Sequence, residues 1–156
     1  DFIDFLAHDL VPFVRQQHNV SADPTLTAVG GYSLGGLAAA CAGLRHSETF
    51  GAVIAQSGSF WWEPTKAYGA EPNWIAQAFV HASPLPLRFY LEAGRYEVDL
   101  TGRGGNILET SRHLRDVLRA KNYAVVYREF TGDHEYMNWR GSFADALISI
   151  FGGEQK

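Results

Sequence analysis

The spacing of apolar residues at the start of the chain predicts an amphipathic helix. Such residues recur there at steps of three and four, at Phe2, Ile3, Leu6, Leu10, Phe13 and Val14. Steps of this size place apolar side chains along one face of a helix. Pro12 interrupts the pattern and predicts a kink or a restart, because proline has no N–H to donate.

Four short apolar runs predict buried β-strands. The first runs from Leu26 to Gly30, and the others cover residues 52–56, 87–92 and 124–130. Helical patterns follow the strands, at residues 36–45, along the stripe Ile107, Ser111, Leu114 and Leu118, and at residues 139–151. This alternation predicts an α/β fold, a mainly parallel sheet with helices on both faces and right-handed crossovers.

Residues 58–86 interrupt this alternation. The segment holds Trp61, Trp62 and Trp74 and shows little regular pattern beyond a short helix near residues 73–80. An aromatic segment between two strands is expected over the carboxyl ends of the sheet, where ligands bind in α/β folds.

Composition narrows the function classes. The 156 residues are 46% hydrophobic and carry a net charge of −4, which fits one globular domain over residues 1–156 and no nucleic-acid partner. No apolar run approaches the roughly 18 residues of a membrane helix. The single cysteine, Cys41, excludes an internal disulfide and fits a reducing compartment without requiring one. We expect a cytoplasmic location, with the periplasm as the alternative.

The segment Gly31-Tyr32-Ser33-Leu34-Gly35 matches the G-x-S-x-G pattern of a nucleophilic serine. A predicted strand precedes it and a predicted helix follows, which is the context this motif requires. We expect Ser33 on a tight strand-to-helix turn, with the Leu34 backbone N–H facing the oxyanion that forms on attack. An ordinary glycine-rich turn is the alternative.

A serine nucleophile needs a base beside it, and His134 fits that role best. It follows the last strand and lies downstream of the serine, as in the order Ser, acid, His of α/β hydrolases. The alternative is a surface-loop histidine between Asp133 and Glu135. The other histidines lie in helices, near helix ends or in the aromatic segment: His8, His18, His46, His81 and His113.

The acid that orients the histidine is expected after the third strand, where Glu97 and Asp99 are both candidates. Glu92 is expected within the strand itself. We favour Glu97, and we expect its carboxylate within about 2.6–3.2 Å of a His134 ring nitrogen.

Three longer segments resemble the enterochelin esterase family of the esterase D group. They are GGYSLGGLAA at 30–39, QSGSFWW at 56–62 and GDHEYMNWRG at 132–141, and LEAGRYE at 91–97 resembles the family's acid loop. The resemblance implies an α/β-hydrolase fold and hydrolysis of trilactone catecholate siderophores. It implies Ser33, Glu97 and His134 as catalytic residues and no cofactor, any iron arriving with the substrate. The chain departs from the family at Gly132-Asp133-His134-Glu135, where Gly-Gly-His-Asp is usual.

A small-molecule ester is therefore the expected partner, and aromatic and basic residues are the candidates to bind it. The aromatic candidates are Trp61, Trp62 and Trp139, whose faces suit catechol or feruloyl rings; the basic ones are Arg95, Arg103 and Arg140. We expect the three tryptophans and Arg140 around the Ser33 hydroxyl, with ring faces partly exposed. Packing in the core is the alternative for these rings.

Two other functions stay open. A feruloyl or acetyl-xylan carbohydrate esterase shares the same arrangement of serine, acid and histidine. A binding domain of hydrolase fold without turnover is the alternative from another class.

The position of the first strand in the chain predicts that a neighbouring strand of the sheet is missing. In an α/β hydrolase the strand before the nucleophile is central, yet here the run from Leu26 to Gly30 is the first strand and the chain opens inside a helix without Met. We therefore expect a C-terminal half of the domain, truncated on its N-terminal side. The absent half, or another chain, is expected to pair with this strand, and the absent half to supply a second oxyanion donor.

Overall fold

The computed structural model of the chain describes residues 1–63, 73–98 and 106–152. Its centre is one sheet of four parallel strands in the order β1-β2-β3-β4. The strands are β1 (Ala28–Tyr32), β2 (Ala52–Gln56), β3 (Arg88–Gly94) and β4 (Ala124–Phe130). The four predicted strands and their parallel arrangement are confirmed.

Six α-helices and two shorter helical turns surround the sheet in the described residues. The α-helices are α1 (Phe2–Phe5), α2 (Val11–Gln17), α3 (Leu34–Arg45), α4 (Trp74–His81), α5 (Ile107–Ala120) and α6 (Tyr136–Phe151). A π-helical turn, Leu6–Leu10, joins α1 to α2, and a 3₁₀ turn, Pro24–Leu26, precedes β1. Among the described residues, no helix is both long enough and apolar enough to cross a lipid bilayer.

The sequence predicts a kink or a restart at Pro12. This proline lies in the first turn of α2, but Leu10 and Val11 before it keep right-handed helical dihedral angles. The π turn lies directly before it, and the Val11 N–H bonds to the Leu6 carbonyl five residues back. The helical stripe thus continues across the proline through one wider turn.

Helices cover both faces of the sheet, as predicted. On one face α3, α4 and α5 pack against Val53, Ala55, Phe89 and Leu91. On the other face α6 places Ala146 and Ile150 against the β2 and β3 residues Ala52, Ile54 and Tyr90. All four β2 and β3 residues on the first face are at most 1% exposed, and burial of each Val, Leu or Phe side chain stabilises the fold by about 1.5–3 kcal/mol.

Several element boundaries differ from the prediction by one to three residues. β1 begins at Ala28 and not at Leu26, since the Asp23 side chain accepts a 2.8 Å hydrogen bond from the Thr25 N–H and caps the 3₁₀ turn. The last helix begins at Tyr136, three residues before the predicted start at Trp139.

The outer edge of β1 pairs with no strand in the described residues. Large apolar side chains lie exposed near it, including Phe2, Leu26 and Tyr32 at 63%, 59% and 46%. An unpaired edge leaves backbone N–H and C=O groups free to pair with another strand.

Candidate active site

Ser33 lies on the turn between the end of β1 and the start of α3. Its backbone has φ 55° and ψ −125°, a conformation that side-chain-bearing residues rarely adopt and that surrounding contacts must hold. Those contacts come from the segment after β2. The Ser33 N–H donates to the Gln56 carbonyl at 3.0 Å, and the Ser33 carbonyl accepts from the Ser59 N–H at 3.0 Å.

The two glycines of the motif have different surroundings. A Cβ at Gly31 would lie 2.5 Å from the backbone carbonyl of Gly35, whereas a Cβ at Gly35 would meet no atom of the described residues within 4 Å. A tight turn favours glycine on both sides of the nucleophile, but steric exclusion of a side chain applies to Gly31 alone. Leu34 opens α3, and the first N–H groups of a helix have no partner within it.

His134 lies between Ser33 and Glu97. Its Nε2 is 2.9 Å from the Ser33 Oγ, and its Nδ1 is 2.8 Å from the Glu97 Oε1. The second distance lies in the range expected from the sequence. Glu97 is 0% exposed, and its other oxygen accepts a 2.6 Å hydrogen bond from the Gly94 N–H.

Two strand ends bring Glu97 and His134 together. Glu97 follows β3 and His134 follows β4, and the Tyr96 N–H donates to the Gly132 carbonyl at 3.0 Å. A Cβ at Gly94 would lie 2.5 Å from that same carbonyl oxygen. The glycine at the end of β3 thus permits the close approach of the two loops. Asp99, the other candidate acid, lies outside the described residues.

Trp139 lies against the histidine and differs from the expectation of a partly exposed ring. It is only 6% exposed, because Tyr32 stacks on it with ring centroids 4.5 Å apart and its indole N–H donates to the buried Ser57 Oγ at 2.8 Å. Its ring meets the His134 imidazole edge to face, with centroids 4.7 Å apart and planes at 80°.

The other predicted substrate-binding residues are spread around the site. Trp61 packs on Ala93, Ile107 and Leu108, and Trp62 is 39% exposed beside Trp74. Trp61 and Trp62 are thus partly exposed, as expected for these rings, whereas Trp139 is buried.

The two described arginines among these candidates are exposed. Arg95 lies 3.8 Å from the Glu129 carboxylate and is 60% exposed. Arg140 lines a groove of about 310 Å³ along the free edge of β1, with Tyr32, Tyr136 and Phe143. Arg103 lies outside the described residues.

Three polar residues at the end of β2 were missed from the sequence. Gln56, Ser57 and Ser59 are each buried, and the Ser59 Oγ lies 3.4 Å from the Ser33 Oγ. Their position at the carboxyl end of a buried strand, next to the strand that carries Ser33, was the signal available in the sequence.

A cluster of side chains that could bind a metal ion lies away from Ser33. The described part of the chain brings ligand atoms of His8, His46 and Glu48 within 4.8 Å of one another. His46 is buried, and its two ring nitrogens contact the Asp4 and Glu48 carboxylates at 3.1 and 3.2 Å. The hydrogen bond from His46 also lowers the pKa of Asp4. These contacts tie the first helix to the end of α3.

Comparison with protein families decides the assignment. The Esterase family, described as "Putative esterase", matches residues 1–150. The chain belongs to the Esterase family. This agrees with the family expected from the sequence motifs.

Relatives within this family extend well beyond the chain. The iron(III) enterobactin esterase of Dickeya dadantii is 32% identical over 157 aligned positions, which cover 94% of this chain and 34% of that protein. The enterobactin esterase from Shigella flexneri, crystallised in the presence of 2,3-dihydroxy-N-benzoyl-glycine, superposes with a TM-score of 0.81 at 31% identity and covers 97% of this chain and 38% of its own. The chain spans about a third of the length of these relatives.

A more distant neighbour supports the fold alone. A ferulic acid esterase superposes with a TM-score of 0.77 at 18% identity, covering 96% of this chain and 60% of that structure. Together with the parallel sheet, these superpositions confirm the predicted α/β-hydrolase fold, of which the chain carries a part.

Proposed function

We propose that this chain carries the catalytic residues of a serine esterase, with Ser33 as nucleophile, His134 as base and Glu97 as the orienting acid. The proposal rests on two contacts of the histidine. The His134 Nε2 lies 2.9 Å from the Ser33 Oγ, and the His134 Nδ1 lies 2.8 Å from the carboxylate of the buried Glu97. A carboxylate on Nδ1 fixes the imidazole tautomer that leaves Nε2 free to accept the serine proton.

The reaction proceeds by acyl transfer in two steps. His134 takes the proton of Ser33 while the Ser33 Oγ attacks the ester carbonyl, and the imidazolium then protonates the departing alcohol. In the second step His134 takes a proton from water, the hydroxide attacks the acyl-enzyme, and the proton returns to Ser33. The Leu34 N–H stabilises the oxyanion in both steps.

For the substrate we propose an enterobactin-like catecholate ester. The names of the relatives supply the support, and Trp62, Arg95 and Arg140 offer exposed aromatic and cationic surface near the site. Trp61 is a further candidate, whose buried indole N–H has no hydrogen-bond partner among residues 1–63, 73–98 and 106–152. A feruloyl or acetyl-xylan ester is the second candidate, since a ferulic acid esterase shares the fold.

We also propose that the outer edge of β1 pairs with a strand that precedes this segment in a longer protein, or with another chain. The support is the unpaired edge in the described residues and the apolar side chains beside it. The same added region is the proposed source of the second oxyanion donor, whose loss typically lowers kcat by about 10²–10³-fold.

Replacement of the nucleophile tests the proposed chemistry. In the full-length protein, Ser33→Ala should lower kcat by about 10⁶-fold, as removal of a catalytic serine does, while the melting temperature stays close to that of the parent. A variant that retains more than about a tenth of the parent turnover would contradict the assignment, because removal of a catalytic serine abolishes nearly all turnover.

A paired substrate assay separates the two esters. Ferric enterobactin and a feruloylated sugar are offered to the full-length enzyme, and the released acids are quantified chromatographically. A higher kcat/KM on ferric enterobactin supports the siderophore substrate, and the reverse order favours the carbohydrate esterase. Hydrolysis of neither ester, with Ser33 unreactive, favours the binding domain.

A further inference from the structure

We infer that Trp139 is a positioning residue that holds the His134 imidazole in line with Ser33. This inference rests on the esterase chemistry proposed above. His134 belongs to a loop, residues 131–135, between β4 and α6, and its side chain is 26% exposed. Hydrogen bonds at its two nitrogens act in the plane of the ring and restrain out-of-plane rocking least, so a third contact, made against the ring itself, adds to the restraint.

Trp139 provides this third contact. The indole lies edge to face with the imidazole at a centroid distance of 4.7 Å, an arrangement that aromatic pairs prefer. Tyr32, the residue before the nucleophile, in turn stacks on the indole, with ring centroids 4.5 Å apart and ring planes at 17°. The rings of Tyr32, Trp139 and His134 therefore join the nucleophile turn to the base.

The indole and the backbone of Trp139 are both hydrogen-bonded to residues at the end of β2 or directly after it. Its indole N–H donates to the Ser57 Oγ at 2.8 Å, and its backbone carbonyl accepts from the Gln56 amide at 2.8 Å. The same Gln56 amide donates to Glu92 at 2.9 Å, and the Tyr90 hydroxyl donates to the other Glu92 oxygen at 2.7 Å.

These anchors are themselves rigid. Ser57 is fully buried, has φ 50° and donates its N–H to the Glu92 carbonyl at 2.8 Å. Glu92 is 2% exposed. A buried polar network whose members are all satisfied holds its groups in one arrangement. We therefore assign Gln56, Ser57 and Glu92 as the support of Trp139.

The test compares three variants of the full-length enzyme: Trp139→Phe, Ser57→Ala and the double variant. A misplacement near 1 Å at a catalytic group costs about 10²-fold, so each variant should lower kcat by about 10–100-fold with KM unchanged. Because both substitutions remove the same N–H···O bond, the double variant should be no slower than Trp139→Phe. The downfield proton resonance of the His134 Nδ1–H bonded to Glu97 should broaden or vanish in each.

Ser111→Ala is the matched control. Ser111 is as fully buried as Ser57 and lies in α5, and its hydroxyl has no hydrogen-bond partner within the described part of the chain. Its loss should therefore leave kcat and the resonance unchanged. If Trp139→Phe fails to fold, Ser57→Ala alone decides the question. Two outcomes would overturn the inference, provided that Ser33→Ala is inactive. One is a folded Ser57→Ala or Trp139→Phe variant with the kcat of the parent. The other is a lowered kcat with the resonance intact. An active Ser33→Ala instead overturns the proposed function.

Discussion

At the scale of single residues, the two glycines around Ser33 give opposite expectations. Gly31→Ala places a Cβ 2.5 Å from the Gly35 carbonyl, so the nucleophile turn must distort, and we expect a lower melting temperature and loss of Ser33 reactivity. Gly35→Ala meets open space within α3 and should be neutral or more stable by up to about 1 kcal/mol, since Ala favours a helix. Thermal melting of both variants checks this, and equal destabilisation would contradict it.

A second expectation at this scale concerns the lone thiol. Burial raises the pKa of Cys41 to about 11, and the thiolate is the form that reacts with alkylating agents. We expect Cys41 in the folded protein to react slowly with iodoacetamide at pH 8 and rapidly in guanidinium chloride, as followed by mass spectrometry. Equal rates in both conditions would show that the thiol is accessible in the fold.

Individual site residues were predictable where a local motif or a strand end marked them. Ser33 has a turn motif, and Glu97 and His134 follow strand ends, so the sequence alone indicates where they lie. The burial of Trp139 was not predictable, because it depends on Ser57 and Tyr32, which are distant in sequence. The sequence marks aromatic character and does not distinguish a ring that binds substrate from one that supports the base.

At the scale of elements, α5 tests the periodicity argument. Leu114 is 0% exposed on its buried face, so Leu114→Ala should lower the free energy of unfolding by about 2–5 kcal/mol. His113→Ala, the exposed neighbour on the same helix, should change it by less than about 0.5 kcal/mol. Urea unfolding of the two variants checks the difference, and similar losses would show that α5 is packed otherwise.

Elements were predicted best where hydrophobic periodicity decides them. The strands and α5 follow from the apolar pattern, whereas the kink or restart predicted at Pro12 takes the form of one π turn in a continuous helical region. The start of β1 was displaced because the Asp23 cap depends on a polar side chain outside the apolar pattern. The start of α6 was placed three residues too late, and no side chain of the described residues caps it. In the acid loop the sequence favoured Glu97 and left Asp99 as the alternative.

At the scale of the whole molecule, the free edge of β1 leads to a prediction on hydrogen exchange. If another strand covers this edge in the full-length protein, the outward amides of residues 28–32 are hydrogen-bonded and exchange slowly. In the isolated 156-residue chain the same amides should exchange quickly, and the chain should associate or aggregate at its edge and be poorly active. Fast exchange of these amides in the full-length protein, or a monomeric and fully active isolated chain, would contradict the proposed pairing.

The central claim is that Ser33 is a nucleophile activated by His134, and labelling with a fluorophosphonate tests it most directly. The full-length protein and its His134→Ala variant are treated with the probe, digested and mapped by mass spectrometry. We expect one adduct, on Ser33, that is lost in the variant, because a serine hydroxyl is weakly reactive without its base. An unlabelled Ser33, or an adduct that forms equally without His134, would contradict the account.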